Sequence, residues 1–217
     1  AALIRSSAPM QTASNARPLA LSRWLQCVAA LVIAMVVVGG ITRLTESGLS
    51  ITEWKPLSGT IPPLTEAQWQ AEFAAYQRIP QYTQVNGPAG MTLAGFKYIF
   101  FWEWFHRLWA RIMGLVFLIG FVYFLVSGKF KKSMIIPMIV LFFLGAMQGA
   151  IGWLMVKSGL VPEKYFVGHI ELTTHLIAAL GLQCYTLWFA LSLLIKNQQK
   201  VISKGLQQGL VAILIIF

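Results

Sequence analysis

The sequence predicts an all-α membrane protein: a four-helix transmembrane bundle followed by the start of a fifth helix, with its N-terminus in the cytoplasm. Three observations carry this prediction. Apolar residues make up 57% of the 217-residue chain and charged residues 11%, with a mean hydropathy of +0.68, well outside the averages of soluble domains. Four apolar stretches, Trp24–Leu44, Tyr98–Val126, Met134–Val156 and His169–Ile195, are long enough to cross about 30 Å of hydrocarbon as helices. The lysines and arginines gather in alternate connections between those stretches, as the positive-inside rule requires.

Taken in order, residues 1–23 are a Ser/Ala-rich cytoplasmic tail whose Arg5, Arg17 and Arg23 precede the first span. That span is long and runs into a Gly-Gly pair and a polar loop, so it does not read as a cleavable signal peptide. Residues 24–195 form the four-helix unit, and its long outer loop covers residues 45–97. Lys129, Lys131 and Lys132 mark the short loop after the second span as cytoplasmic, as do Lys196, Lys200 and Lys204 after the fourth. No Asp occurs, and all seven acidic residues fall in the outer loops or in the outward halves of the second and fourth helices. Residues 196–217 are a cytoplasmic linker and a fifth helix cut short, because Leu206–Phe217 offers too few apolar residues to span. The net charge of +10 is spread along the topology rather than over one face, which argues against a nucleic-acid partner. Cys27 and Cys184 lie inside predicted spans and read as small apolar core residues rather than as a disulfide.

The outer loop is too long to be a mere connector. Thr65 with Gln68 three residues on predicts a helix start, and Trp69, Phe73 and Tyr76 recur at helical spacing. The expected element is a short amphipathic helix lying on the outer membrane surface, its aromatics serving as interface anchors.

Ionisable groups within a span are costly and mark function by default. The second span carries Glu103, His106, Arg107 and Arg111, a face expected to point into the bundle or a cavity; the fourth carries His169, Glu171 and His175. Both spans run from outside to inside, so depths compare directly. His106 lies about 12 Å below its helix start and His175 about 9 Å below its own, at 1.5 Å per residue. Two level imidazoles on two helices suit the axial faces of a heme iron. Zinc would want four ligands and would favour cysteines. Spacing leaves two readings open, an axial pair or two bundle histidines satisfied by their neighbours. His169, at the helix entrance, reads as solvated.

Longer motifs narrow the choice. The runs GGITRLTESGLSITEWKPLSGTIPPL (Gly39 to Leu64), FKYIFFWEWFHRLWARIMG (Phe96 to Gly114) and QGAIGWLMVKSGL (Gln148 to Leu160), with the pair His175-Leu176, resemble the heme A synthase family in the same order. That family has eight helices in two similar halves, and this chain is similar to the first. The resemblance implies an oxidoreductase that converts a methyl group of heme O to the formyl group of heme A for terminal oxidase assembly. It implies heme O as substrate between His106 and His175, with Glu103 as the catalytic carboxylate, and a heme b cofactor in the second half, beyond Phe217. Full activity is expected to need that half. Arg43 and Lys55 are candidates for the substrate's propionates, with Lys157 a further one. Gly39-Gly40 and the set Gly145, Gly149 and Gly152 would let backbones or a flat macrocycle approach closely.

Three departures from the family stand out: Glu171 where an Arg is common, Ala110 where a Gly is usual, and no cysteine pair in the outer loop. Besides the bilayer, the implied partners are a heme O synthase, a terminal oxidase, an electron donor and further copies of the chain, in a bacterial inner membrane. The competing readings are a bis-histidine membrane cytochrome b for electron transfer and a non-enzymatic oxidase assembly factor. Glu103 and the long outer loop argue against the first, since electron transfer needs neither.

Overall fold

A computed structural model describes residues 19–55, 57–194 and 208 of the chain. The expected tail therefore falls largely, and the fifth helix almost wholly, outside the described residues. Within them the chain is all-helical: α1 (Leu19–Leu44), α2 (Glu66–Tyr76), α3 (Leu93–Val126), α4 (Lys132–Gly159) and α5 (His169–Ser192). All but α2 are long and apolar enough to cross a membrane. Lipid leaves a backbone no outside hydrogen-bond partner, so a spanning segment must bond internally, and these four do so as helices.

The spans match the sequence reading except at their ends. α3 begins at Leu93 rather than Tyr98, because Thr92 caps it by accepting from the Gly95 amide. The extra turn carries Phe96, which α2 needs as a packing surface. α1 runs straight through Gly39-Gly40 and stops in a Schellman motif: the Ser47 amide donates to the Thr42 carbonyl and the Glu46 amide to that of Arg43. Glu46 takes the left-handed position (φ 54°) that glycine usually fills, and its carbonyl accepts from Gln81 Nε2 at 2.9 Å.

α1 is the centre of the bundle. It packs against α3 on one side and α5 on the other, and α5 packs in turn against α4. α3 does not pack along α4 or α5. At the short-loop end all four helices nevertheless converge on one core of Leu21, Leu25, Phe124, Met134, Met138, Leu141, Leu182 and Phe189. Hydrogen bonds from side chains to a neighbouring helix's carbonyls fix the pairing where apolar burial has little driving force in lipid. Ser22 Oγ donates to the Ala190 carbonyl at 2.7 Å, Trp109 Nε1 to Leu31 at 3.1 Å and Trp24 Nε1 to Val116 at 3.3 Å. Trp24 also stacks between Phe117 and Phe124 and lies directly over Gly120, where any side chain would overlap the indole.

Two expectations need correcting. Cys27 and Cys184 are exposed on outer helix faces, not buried in the core, because α1 and α5 turn other faces to their neighbours; both are free thiols. α2 has the predicted capping box, Thr65 accepting from the Gln68 amide while Gln68 Oε1 accepts from Thr65 N. Its aromatic face is turned inward, however, rather than spread on a surface. Phe73 and Tyr76 are buried with Phe96, Ile99 and Phe100 of α3, and Trp69 meets Phe100 edge-on at 5.1 Å. The lengthened α3 offers these rings a protein partner, which removes their reason to anchor in lipid. A single π-helical turn, Gln81–Asn86, follows. Its Asn86 donates to the Tyr76 hydroxyl at 2.6 Å, and that hydroxyl donates to Gln81 Oε1 at 3.1 Å.

Two measurements test this packing. Gly120→Ala should destabilise the detergent-solubilised protein by about 1–3 kcal/mol, because Trp24 is held by two rings and cannot move aside, whereas Gly114→Ala, at a site with open space, should be neutral in the same thermal melt. Burial pushes the Tyr76 phenol up to about 12. With its folded value above the usual value near 10, the buried phenol's stabilisation is complete below about pH 10 and is lost as pH rises toward 12. Alkaline unfolding should therefore be steeper in the wild type than in Tyr76→Phe across that window, as read by tryptophan fluorescence.

Candidate functional site

The ionisable face of α3 divides: His106 turns toward α1, while Arg107 and Arg111 line a pocket with the long outer loop. It holds the chain that follows α1, which turns back alongside α3. Ser50 Oγ meets the Ile99 carbonyl and Glu103, the Ile51 carbonyl meets Arg107, the Lys55 carbonyl meets Arg111 at 3.1 Å, and the Thr60 carbonyl returns to Trp104 Nε1 at 3.2 Å. Irregular backbone beside a spanning helix is tolerable only when its carbonyls find donors, and the two guanidinium groups are those donors.

Glu103 is the knot of this arrangement. Its side chain is 2% exposed, Oε2 accepts from Ser50 Oγ and the Ile51 amide at 2.7 Å each, and Oε1 accepts from Arg107 at 2.5 Å. A buried carboxylate held by one cation and two further donors is a satisfied charge. Helical spacing sets Glu103 and Arg107 one turn apart, but nothing in it points to Ser50 and Ile51, which lie 53 and 52 positions away.

The two histidines lie on α3 and α5, which share α1 as a neighbour. Each ring rests where a helix neighbour lacks a side chain. A Cβ on Gly39 of α1 would stand 3.4 Å from His106 Nε2, and one on Gly152 of α4 would stand 2.8 Å from His175 Cε1. Gln148 of α4 reaches His175, its Nε2 lying 3.2 Å from Nδ1 and 3.0 Å from the His175 carbonyl, while its Oε1 is buried without a partner. Among the described residues no three His, Cys, Asp or Glu side chains gather to hold a bare metal ion. What the pair suits is a metal that brings its other ligands with it, as an iron porphyrin does. The room that Gly39 and Gly152 leave beside the two rings fits such a flat group.

The remaining candidates fall elsewhere. Lys55, expected to reach a ligand's carboxylates, is committed to Glu72 at 2.8 Å and Glu53 at 3.2 Å. The Glu72 carboxylate holds its ammonium above the usual lysine range. Arg43 is exposed at the end of α1. Lys157 lies over the Trp153 ring at 5.0 Å. His169 is exposed, and Glu171, which stands where an Arg is expected, pairs with Lys164 at 3.2 Å. Gly40, Gly145 and Gly149 face open space, so only Gly39 and Gly152 serve close approach to the histidines. Sequence reasoning missed Gln148 and Trp54. The first had a signal, as the one polar side chain between Met134 and Val156. The second bridges Arg107, 6.0 Å from its ring, to Trp153 of α4, 6.5 Å between centroids.

A family model described as "Cytochrome oxidase assembly protein" matches residues 22–217. A heme A synthase of Novosphingobium aromaticivorans is 51% identical over 207 residues, which is 95% of this chain and 59% of the relative. One of Rhodospirillum centenum is 51% identical over 83% of this chain and 48% of its own length, and one of Parvibaculum lavamentivorans 48% identical over 90% and 56%. The chain thus spans about half the length of the curated relatives it matches. No solved structure matches it.

Removing the Glu103 carboxylate should release the loop. Glu103→Ala leaves Arg107 and Ser50 facing a buried void, a change of about 3–5 kcal/mol for a broken buried pair. Hydrogen exchange at residues 50–60 should rise well above wild type while the α1–α5 core at Ser22 and Ala190 stays protected. Unchanged exchange at 50–60 would show that the loop is held by other means.

Proposed function

The chain belongs to the cytochrome oxidase assembly protein family, and from that membership we propose that it is the substrate-binding half of a heme A synthase, a multi-pass membrane oxidoreductase. Its reaction is the oxidation of a methyl group of heme O to the formyl group of heme A for a terminal oxidase. Residues 24–195 are the heme-binding half, with the 45–97 loop outside and residues 1–23 and 196–217 on the cytoplasmic side of a bacterial inner membrane. The arrangement of lysines and arginines supports that orientation. A second half, holding heme b, completes the enzyme.

The observation that carries the reading is the histidine pair on α3 and α5, each ring seated on a neighbour's glycine. His106 and His175 are the residues that would hold the iron porphyrin. The iron porphyrin, when bound, supplies the oxidisable methyl group and the redox centre. Arg43, exposed and without an ion pair among the described residues, is the cation we assign to the propionates; Lys55 is not, because Glu72 and Glu53 already hold it. Glu103 is the catalytic carboxylate. With both oxygens occupied it acts as a fixed negative charge, which stabilises positive charge developing on the substrate, rather than as a mobile acid. The loop that Glu103 and Arg107 anchor shields the carboxylate from water. Heme O synthase, the oxidase and an electron donor are the partners this role requires.

Expression of the full-length gene with a heme O source, followed by extraction and chromatography of hemes, tests the proposal. Heme A is the expected product. Glu103→Gln, which keeps the shape of the carboxylate, should retain heme and cut heme A formation on the order of 10²–10³-fold. His106→Ala should lose heme itself. Unaltered heme O from a folded, heme-loaded wild type would sink the enzyme reading.

A further inference from the structure

We propose that the pocket between α3 and the long outer loop binds the phosphoethanolamine headgroup of a membrane phospholipid, its phosphate on Arg107 and Arg111 and its ammonium on Glu53 and Glu72.

The pocket has a volume of about 390 Å³, within the range of small-ligand sites, and lies apart from the histidine pair: none of Gly39, His106, Gly152 and His175 lines it. Its depth is set by α3. With 34 residues that helix is about 51 Å long and outruns about 30 Å of hydrocarbon. Counted back from its short-loop end at Val126, about 30 Å of rise leads to Arg107. The two guanidinium groups therefore stand where hydrocarbon gives way to headgroups. The loop is built for the same level, since Ile61 and Leu64, which line the pocket, are 66% and 75% exposed apolar side chains. Past Arg111 the same face of α3 continues through Leu115, Leu118 and Val122, all exposed and spaced at helical turns. That stripe is an apolar track along which an acyl chain runs from the pocket into the bilayer.

Charge selects the headgroup. The α3 wall carries two guanidinium groups, with one carboxylate, Glu103, behind them; the opposite wall carries two carboxylates, Glu53 and Glu72, around one ammonium, Lys55. The pocket is thus positive on one side and negative on the other. Arg107 uses only Nη2 for Glu103 and the Ile51 carbonyl, which leaves Nε and Nη1 to a ligand. A Cβ on Gly59 would stand 3.4 Å from Arg111 Nη2, so the missing side chain keeps the loop from crowding that guanidinium. A phosphate diester accepts from such forks, and a primary ammonium donates to carboxylates. A phosphoglycerol headgroup offers the acids no cation, and a phosphocholine headgroup has a cation with no N–H to give. Phosphoethanolamine answers both walls.

The test exchanges the full-length protein in detergent against dioleoyl phosphatidylethanolamine, phosphatidylglycerol, phosphatidylcholine or dioleoylglycerol, with bound lipid read by native mass spectrometry. Wild type should retain the ethanolamine lipid on the order of 10-fold better than the other three. Arg111→Gln should lower retention of all three phospholipids to that of dioleoylglycerol. Glu53→Gln combined with Glu72→Gln should instead keep phospholipid binding and turn the preference toward phosphatidylglycerol, because Lys55 then stands without its acids. Equal retention of all four lipids by wild type, or an ethanolamine preference that survives these substitutions, overturns the proposal. Displacement of the lipid by an equal concentration of soluble phosphoethanolamine overturns the membrane lipid as occupant. If Arg111→Gln does not fold, Glu53→Gln alone, in the exposed loop, decides: an undiminished ethanolamine preference overturns the assignment.

Discussion

The buried Glu103 carboxylate is the interaction on which the long-loop half of the molecule depends. It joins α3 to the chain leaving α1 through Ser50, the Ile51 amide and Arg107, and everything in the loop up to α2 is hung from that point. Its charge is balanced within the knot, and each donor that satisfies it is also tied to the loop or the helix. Arg107 and Arg111 extend the same logic downward, each giving a guanidinium N–H to a loop carbonyl that lipid could not satisfy. One acidic and two basic side chains at helical spacing thus make irregular backbone tolerable beside a spanning helix.

That knot matters because α3 has so little other support there. At the short-loop end four helices share one apolar core, and hydrogen bonds such as Ser22 to Ala190 register α1 against α5. Toward the long loop, α3 keeps α1 but not α4 or α5, and gains α2 and the folded-back loop instead. The two histidines lie on α3 and α5, in the halves of those helices nearer the long loop.

A pair of imidazoles in such a place is only as useful as the control over their orientation. Gly39 and Gly152 give each ring room against a neighbouring helix, and Gln148 adds a directional contact at His175. The same small and amide residues would be unremarked in a helix read for hydropathy alone. Their role depends on being opposite a histidine, which is a property of packing.

Much of the fold was legible in the residues. Four spans, the capped helix at Thr65 and the one-turn Glu103–Arg107 pair all follow from local rules, because lipid enforces length and internal hydrogen bonding and a helix repeats every 3.6 residues. The family was legible as well, since its motifs are contiguous runs. Partnerships between distant segments were not. The sequence could not say that Lys55 answers Glu72, that the aromatics of α2 face α3, that the cysteines face outward, or that Gln148 meets His175. Periodicity determines which residues share a face; only the tertiary structure decides what that face meets, because helix neighbours are chosen by the sum of many weak contacts across the bundle.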